Sequence, residues 1–228
     1  MNYGIQDSIN LVWKVAWVRR MQESMSIMDI SDTMSKILDS YDVERRSLAH
    51  KLIDRTSLGT DIVLSNNTIV QWFRSYMIRN WISYLMVENG GAYALAQLTT
   101  EYNPKNSYLL DCTSSSKNYI AVSGARLPNL HLADGSRLYD HVDRKHFTIV
   151  ILNGNEKHAE KTINTCKIVC VSAADTQEKM PKIDANAYKA AQVLLVRPDL
   201  HVFCVASTLD HVRHKFFGLL PAEAVSCM

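Results

Sequence analysis

The sequence predicts an α+β protein: an N-terminal helical segment followed by an α/β domain. Three observations carry that expectation. Up to about residue 98 the apolar residues recur with helical spacing; from about 99 to 124 the composition shifts to Ser, Thr, Asn and Tyr without a period; beyond 125 short apolar runs alternate with polar, helix-like stretches. The boundaries that follow are 1–98 for the helical segment, 99–124 for a linker or lid, and 125–228 for the α/β domain.

In the opening stretch "MNYGIQDSINLVWKVAWV", Gln6, Asp7 and Ser8 provide a helix start. Ile9, Leu11, Val12, Trp13, Val15, Ala16, Trp17 and Val18 make the helix apolar on nearly every side. Gln6, Asp7, Asn10 and Lys14 interrupt the run, which argues against a signal peptide and against a membrane span. In the second helical stretch Ser31 or Asp32 serves as a cap, with Val43, Leu48, Leu52 and Ile53 near helical spacing from Asp39 onwards. Asn66, Asn67 or Thr68 caps a third helix over 68–87, stopped by Gly90 and Gly91.

In the second half "HFTIVILNG" reads as a buried strand, "EKHAEKTINTC" as a helix and "KIVCVSA" as a strand. "VLLVRPDLHVFCVA" reads as a hairpin turning at Pro198 and Asp199, and "STLDHVRHKFFGLL" as a helix capped by Ser207 or Thr208. Strand, helix, strand, hairpin and helix is the order of a thioredoxin-like α/β unit.

With 228 residues, 47% of them hydrophobic, and a formal charge of +2, the chain is long enough for one large domain or two small ones. The charge points to no nucleic-acid or membrane partner. Five cysteines, odd in number and without a CxxC pair or zinc spacing, read as reduced, buried thiols of a cytoplasmic protein and give no metal site. "HLADGSRLYDHVDRKH" concentrates His131, Asp134, Tyr139, Asp140, His141, Asp143, Arg144 and His146, a set with acid–base potential that reads first as a turn and a solvated face. Glu44, Arg45 and Arg46 read as a charged face tying two helices together.

The opening stretch and "ILDSYDVERRSLA", together with "GARLPNLHLADGSRLYDHV" and "VLLVRPDLHVF" further on, resemble the C-terminal part of FAD-dependent aromatic hydroxylases of the phenol hydroxylase type. The resemblance covers nearly the whole chain, with Ser47 where the family usually has Pro. It implies the last third of such an enzyme, with its thioredoxin-like domain, without the FAD-binding half. Asn2 and Gly4, with Gln6, match positions near the flavin. None of the eight glycines stands at the G-x-G spacing of a dinucleotide fingerprint, so FAD is expected only where a partner supplies the Rossmann half.

Two functions follow as expectations. One is a non-redox tailoring enzyme, a cyclase, isomerase or dehydratase, acting on a small apolar molecule, an aromatic or polyketide intermediate of secondary metabolism. In it Asn2 and Gln6 offer donors at a helix N-terminus, Tyr102, Tyr108 or Tyr119 supplies a proton, and Trp13, Trp72, Phe73, Tyr76 and Trp81 wall the pocket. The other is a non-catalytic subunit, forming a homodimer through the helices at 5–20 and 68–87 or pairing with a full-length monooxygenase; a fragment of such a monooxygenase is a third.

Overall fold

The computed structural model describes residues 2–24, 27–80, 100–105, 107–111, 121–131, 135–152, 161–163, 166–171 and 192–219. Three helices come first: α1 (Asn2–Ser24), α2 (Ile27–Leu64) and α3 (Thr68–Asn80). A short helix, α4 (Leu138–His141), precedes the strands β1 (Phe147–Leu152), β2 (Lys161–Ile163), β3 (Cys166–Val171), β4 (Gln192–Val196) and β5 (Val202–Ala206), and α5 (Leu209–Phe217) follows. The α+β expectation holds.

The helices differ from expectation in their starts. α1 begins at Asn2 rather than at a Gln6–Ser8 cap, because those side chains are engaged elsewhere: Ser8 Oγ donates back to Gly4 O at 3.0 Å and Asp7 pairs with Arg45. The cap expected at Ser31 or Asp32 is absent, and α2 runs straight through, Asp32 pairing with Lys36 one turn on. Asn67 does cap α3, its Oδ1 accepting from Ile69 N at 2.9 Å. The stop expected at Gly90 and Gly91 lies outside the described residues.

The sheet has the order β2–β3–β1–β4–β5. β1 pairs parallel with β3 and antiparallel with β4, and β4 and β5 form the expected hairpin. The Arg197–Leu200 backbone bond at 2.9 Å closes its turn around Pro198 and Asp199, with Leu200 in the left-handed region at φ 65°. Where "EKHAEKTINTC" reads as a helix, residues 161–163 instead form β2, antiparallel to β3; Thr162 and Ile163 are β-branched and gain a partner in Cys166 and Lys167.

Side chains from both sheet faces enter apolar clusters; they alternate along β1 and β4, while the register shift opposite Leu195 and Val196 puts both Phe203 and Cys204 of β5 on one face. Ile149, Val193, Leu195 and Phe203 pack with Trp13, Val18 and Met21 of α1, Ile37 of α2, and Val212 and Phe216 of α5. Val150, Leu194, Val196 and Val205 pack with Leu127, Leu130, Leu138 and Leu200 on the other face. The helical segment and the thioredoxin-like sheet therefore share one core. Part of the stretch expected as a linker or lid contributes to the core: Leu109 lies in the first cluster and Ala121 in the second, and Tyr102 N and Gly124 N bond in sequence to Gly124 O and Val202 O.

Candidate functional site

Four charged side chains meet inside the molecule. Lys14 comes from α1, Glu44 from α2, Arg197 and Asp199 from the β4–β5 turn, and all are buried. Glu44 Oε1 accepts from Arg197 Nη1 at 2.7 Å and from Ser107 Oγ at 2.6 Å. Its Oε2 accepts from Lys14 Nζ at 3.0 Å, Asn10 Nδ2 at 2.8 Å and Arg197 Nη2 at 3.0 Å. Asp199 takes the remaining fork of Arg197, Nε at 3.1 Å and Nη2 at 2.5 Å. Arg197 lies over the rings of Trp13 and Tyr102, 5.0 and 5.3 Å from their centroids. Tyr102 Oη accepts from Asn10 Nδ2 and from Arg45 Nη1, and Arg45 pairs with Asp7 in the second turn of α1.

Local sequence explains the assembly. Asn10 and Lys14 stand one turn apart on α1, so both reach the same carboxylate. Pro198 fixes a turn that brings Arg197 and Asp199 to one side of the hairpin. The charges of Lys14 and Arg197 balance those of Glu44 and Asp199, and the bidentate fork supplies the bonds that charges need away from water.

The electrostatics hold the carboxylates and Arg197 charged and bring Lys14 close to neutral titration. Burial would raise Glu44, but the charge and hydrogen bonds of Arg197, with Lys14, hold it down at about 2. Burial would likewise raise Asp199; Arg197 and His201 keep it well below the carboxylate range. Burial lowers Lys14 to about 8 against the pull of Glu44, and burial and Asp199 push Tyr102 up to about 12. Glu44, Asp199 and Arg197 keep their charges at neutral pH while Lys14 titrates within reach of it, and the bonds among them make the cluster a clasp that fastens α1 and α2 to the sheet.

The residues expected to form one pocket fall in separate places. Trp13 is in the core, stacked on Trp17 at 6.0 Å and edge-on to Phe147 at 5.8 Å. Tyr102 is committed to the clasp. Tyr108 is half-exposed beside Lys36. Trp72, Phe73 and Tyr76 stand exposed on α3. Gly4 lies in the first turn of α1 with open space where a Cβ would stand, and Gln6 is half-buried one turn further. Asn2 starts α1; Tyr119 and Trp81 lie outside the described residues.

Around α4, Tyr139 Oη donates to Leu127 O at 2.5 Å, His141 Nε2 lies 2.8 Å from Ser136 Oγ, and His146 Nδ1 lies 2.8 Å from Asp143 Oδ2. These bonds tie a loop together, as the turn reading expects. Cys204 is a free buried thiol raised to about 12 by burial and by Asp111, hence unreactive.

Sequence reasoning saw Glu44 and Arg45 as a charged face and missed that they are buried. Glu44 and Arg45 do tie two helices together, through Lys14 and Asp7 of α1, whereas Arg46 is exposed and pairs with Asp42 of its own helix. The overlooked signal was Asn10 and Lys14, polar residues inside an apolar helix, which needed buried partners of their own.

Residues 121–217 match the family model described as "Aromatic-ring hydroxylase, C-terminal". The chain is 26% identical over 207 residues to the uncharacterized aromatic compound monooxygenase YhjG of Bacillus subtilis, covering 89% of this chain and 35% of that protein. It is 23% identical over 157 residues to the pentachlorophenol 4-monooxygenase of Sphingobium chlorophenolicum, covering 68% of this chain and 26% of that one. Among solved structures it shares its fold with the flavin-dependent monooxygenase PieE, solved with FAD and substrate. The TM-score is 0.50 at 16% identity, over 95% of this chain and 44% of that one. The chain thus spans about a third of the length of these curated relatives. Among the described residues no helix is long and apolar enough to cross a membrane.

Proposed function

For a chain that matches the C-terminal part of aromatic-ring hydroxylases, we propose a non-catalytic docking role: it supplies the thioredoxin-like end of such an enzyme and presents α1 to a flavin-binding unit. One observation carries this reading. α1 turns Asn10 and Lys14 inward to the clasp beside the core residues Trp13, Val18 and Met21, while Ile5, Ile9, Val12 and Val15 form an exposed apolar stripe on the opposite side. A helix held rigidly by charges on one side and left apolar on the other is built to be covered.

FAD is part of this proposal only through that partner. Gly4 is exposed in the first turn of α1, with nothing within 4 Å of where a Cβ would stand. The phosphates need backbone donors that no pair of glycines at G-x-G spacing provides in this chain. The tailoring-enzyme reading has less support from the geometry, because Trp13 and Tyr102 are committed to the core and the clasp, and Trp72, Phe73 and Tyr76 stand on the surface of α3.

The test is co-expression with the part of YhjG that precedes the matched region, followed by gel filtration read at the flavin absorbance band. Flavin is expected to co-elute with the complex, and Ile9→Glu with Val12→Glu to separate the two proteins without unfolding this chain. FAD titrated into the chain alone should give no saturable signal. Tight binding of FAD by the chain alone, or conversion of an aromatic substrate by it without flavin, would overturn the docking role.

A further inference from the structure

The stretch "GARLPNLHLADGSRLYDHVDRKH" is rich in charge that neither the clasp nor the α1 stripe uses. Two of its cations, Arg126 and Arg144, meet at one ring, that of Tyr139. The ring is held at both ends: Tyr139 N donates to Asn129 Oδ1 at 3.1 Å, and Tyr139 Oη donates to Leu127 O at 2.5 Å. The phenol oxygen can then only accept, and Arg126 Nε donates to it at 3.3 Å. The guanidinium of Arg144 lies over the same ring, 5.6 Å from its centroid.

Neither cation has a counter-charge. Among the described residues no carboxylate pairs with Arg126 or Arg144, and the described acids of the stretch are bound to its own loop. Asp140 Oδ2 accepts from Arg137 N at 3.0 Å; Asp143 Oδ1 accepts from Lys145 N at 2.7 Å, and its Oδ2 lies 2.8 Å from His146 Nδ1. The neighbour of Arg126 across the bridge to the hairpin is His201, which is no acid, and Asp199 beside it is taken up by Arg197 and Asn10. Yet Arg126 is half-buried. A guanidinium partly withdrawn from water calls for an acceptor. Its Nε is spent on Tyr139, which fixes the plane of the group and leaves Nη1 and Nη2 as a fork for two oxygens of one anion.

We propose that Arg126 and Arg144, framed on Tyr139, bind one small oxyanion: the carboxylate or phosphate group of a small molecule. Arg126 grips two oxygens end-on, and the exposed Arg144 adds positive charge from the solvent side. Asp140, exposed beside the ring, would repel an extended acidic protein surface and leaves room for a compact anion. The site is independent of the docking role of α1.

The test is a titration of the full chain with inorganic phosphate and, separately, with benzoate at constant ionic strength, followed through the Arg126 Nε–H resonance and by calorimetry. At least one anion should saturate with a dissociation constant of about 1 mM or tighter, and the tighter of the two tells a phosphate ligand from a carboxylate. Arg126→Lys keeps the charge but loses the fork and should weaken binding about 10-fold. Arg144→Gln, at an exposed position where folding is not at stake, should weaken it about 3-fold. Lys145→Gln removes a neighbouring exposed cation and should leave binding unchanged. No saturation by either anion up to about 20 mM, the same loss in Lys145→Gln as in Arg126→Lys, or saturation by polyglutamate alone would each overturn the proposal.

Discussion

The β4–β5 hairpin and α3 are opposite ways of handling side chains. The hairpin holds Arg197 and Asp199, which favour water, and buries them completely; α3 holds Ile69, Trp72, Phe73 and Tyr76, which avoid water, and exposes them. What decides the difference is partnership rather than polarity. Arg197 finds Glu44 of α2 at 2.7 Å and Asp199 of its own turn at 3.1 Å, whereas on α3 Trp72 and Tyr76 stack on each other with both rings exposed. α1 joins both manners in one helix, burying Lys14 among charges and leaving Ile9 and Val12 exposed.

The sharpest way to break the comparison is to remove one partner at the hairpin. Arg197→Met leaves Glu44 and Asp199 buried without their main counter-charge and should cost about 3–5 kcal/mol in urea denaturation. Arg197→Lys should fare little better, since one ammonium cannot fork to two carboxylates.

Acid attacks the same contact without mutation. Glu44 is held at about 2 against the usual 4.5, and Asp199 is lowered as well. Folded-state values below the unfolded ones mean that the stabilisation is present above about pH 5 and is lost as pH falls towards 2. Glu44 alone should account for about 3 kcal/mol of that loss. Thermal melts between pH 7 and 3 should show it, and in Arg197→Met the slope should flatten.

A smaller loss is expected at Gly124, which adopts φ +86° and whose missing Cβ would lie 2.2 Å from Tyr102 O. Gly124→Ala should cost about 2 kcal/mol. Its signature is faster hydrogen exchange at Tyr102 N and Gly124 N, the bonds that carry the 100–124 stretch onto the hairpin.

How much of this could be read in the sequence depends on whether the determining contacts are local. The hairpin was legible because Pro198–Asp199 sits between two apolar runs, and α5 because Thr208 precedes a helical period. β2 was not, because "EKHAEKTINTC" has helix-forming residues, and Lys161–Ile163 within it pair as a strand only beside β3. The unbroken length of α2 was missed because Asp32 is as good a cap as it is an i,i+4 partner for Lys36. The clasp was visible only in part. Glu44 lies 153 residues from Arg197 in the chain, and no spacing rule links them. The flavin-facing match of Asn2 and Gly4 came from motif resemblance, and the geometry adds to it only that Gly4 stands open.

The smallest expected effect sharpens the comparison most, because it uses the same residue type twice. Trp13 lies in the core between Trp17, Phe147 and the guanidinium of Arg197, so Trp13→Ser removes ring contacts on three sides, leaves a cavity, and should cost about 3–5 kcal/mol. Trp72 touches Tyr76 and otherwise faces outward, and Trp and Ser have similar helix propensities, so Trp72→Ser should change the stability of the monomer by no more than about 0.5 kcal/mol. Both variants are to be compared by urea denaturation at one protein concentration. Equal losses for the two tryptophans would mean that α3 is packed against the body of its own chain, and the contrast between a satisfied hairpin and an unsatisfied helix would fall.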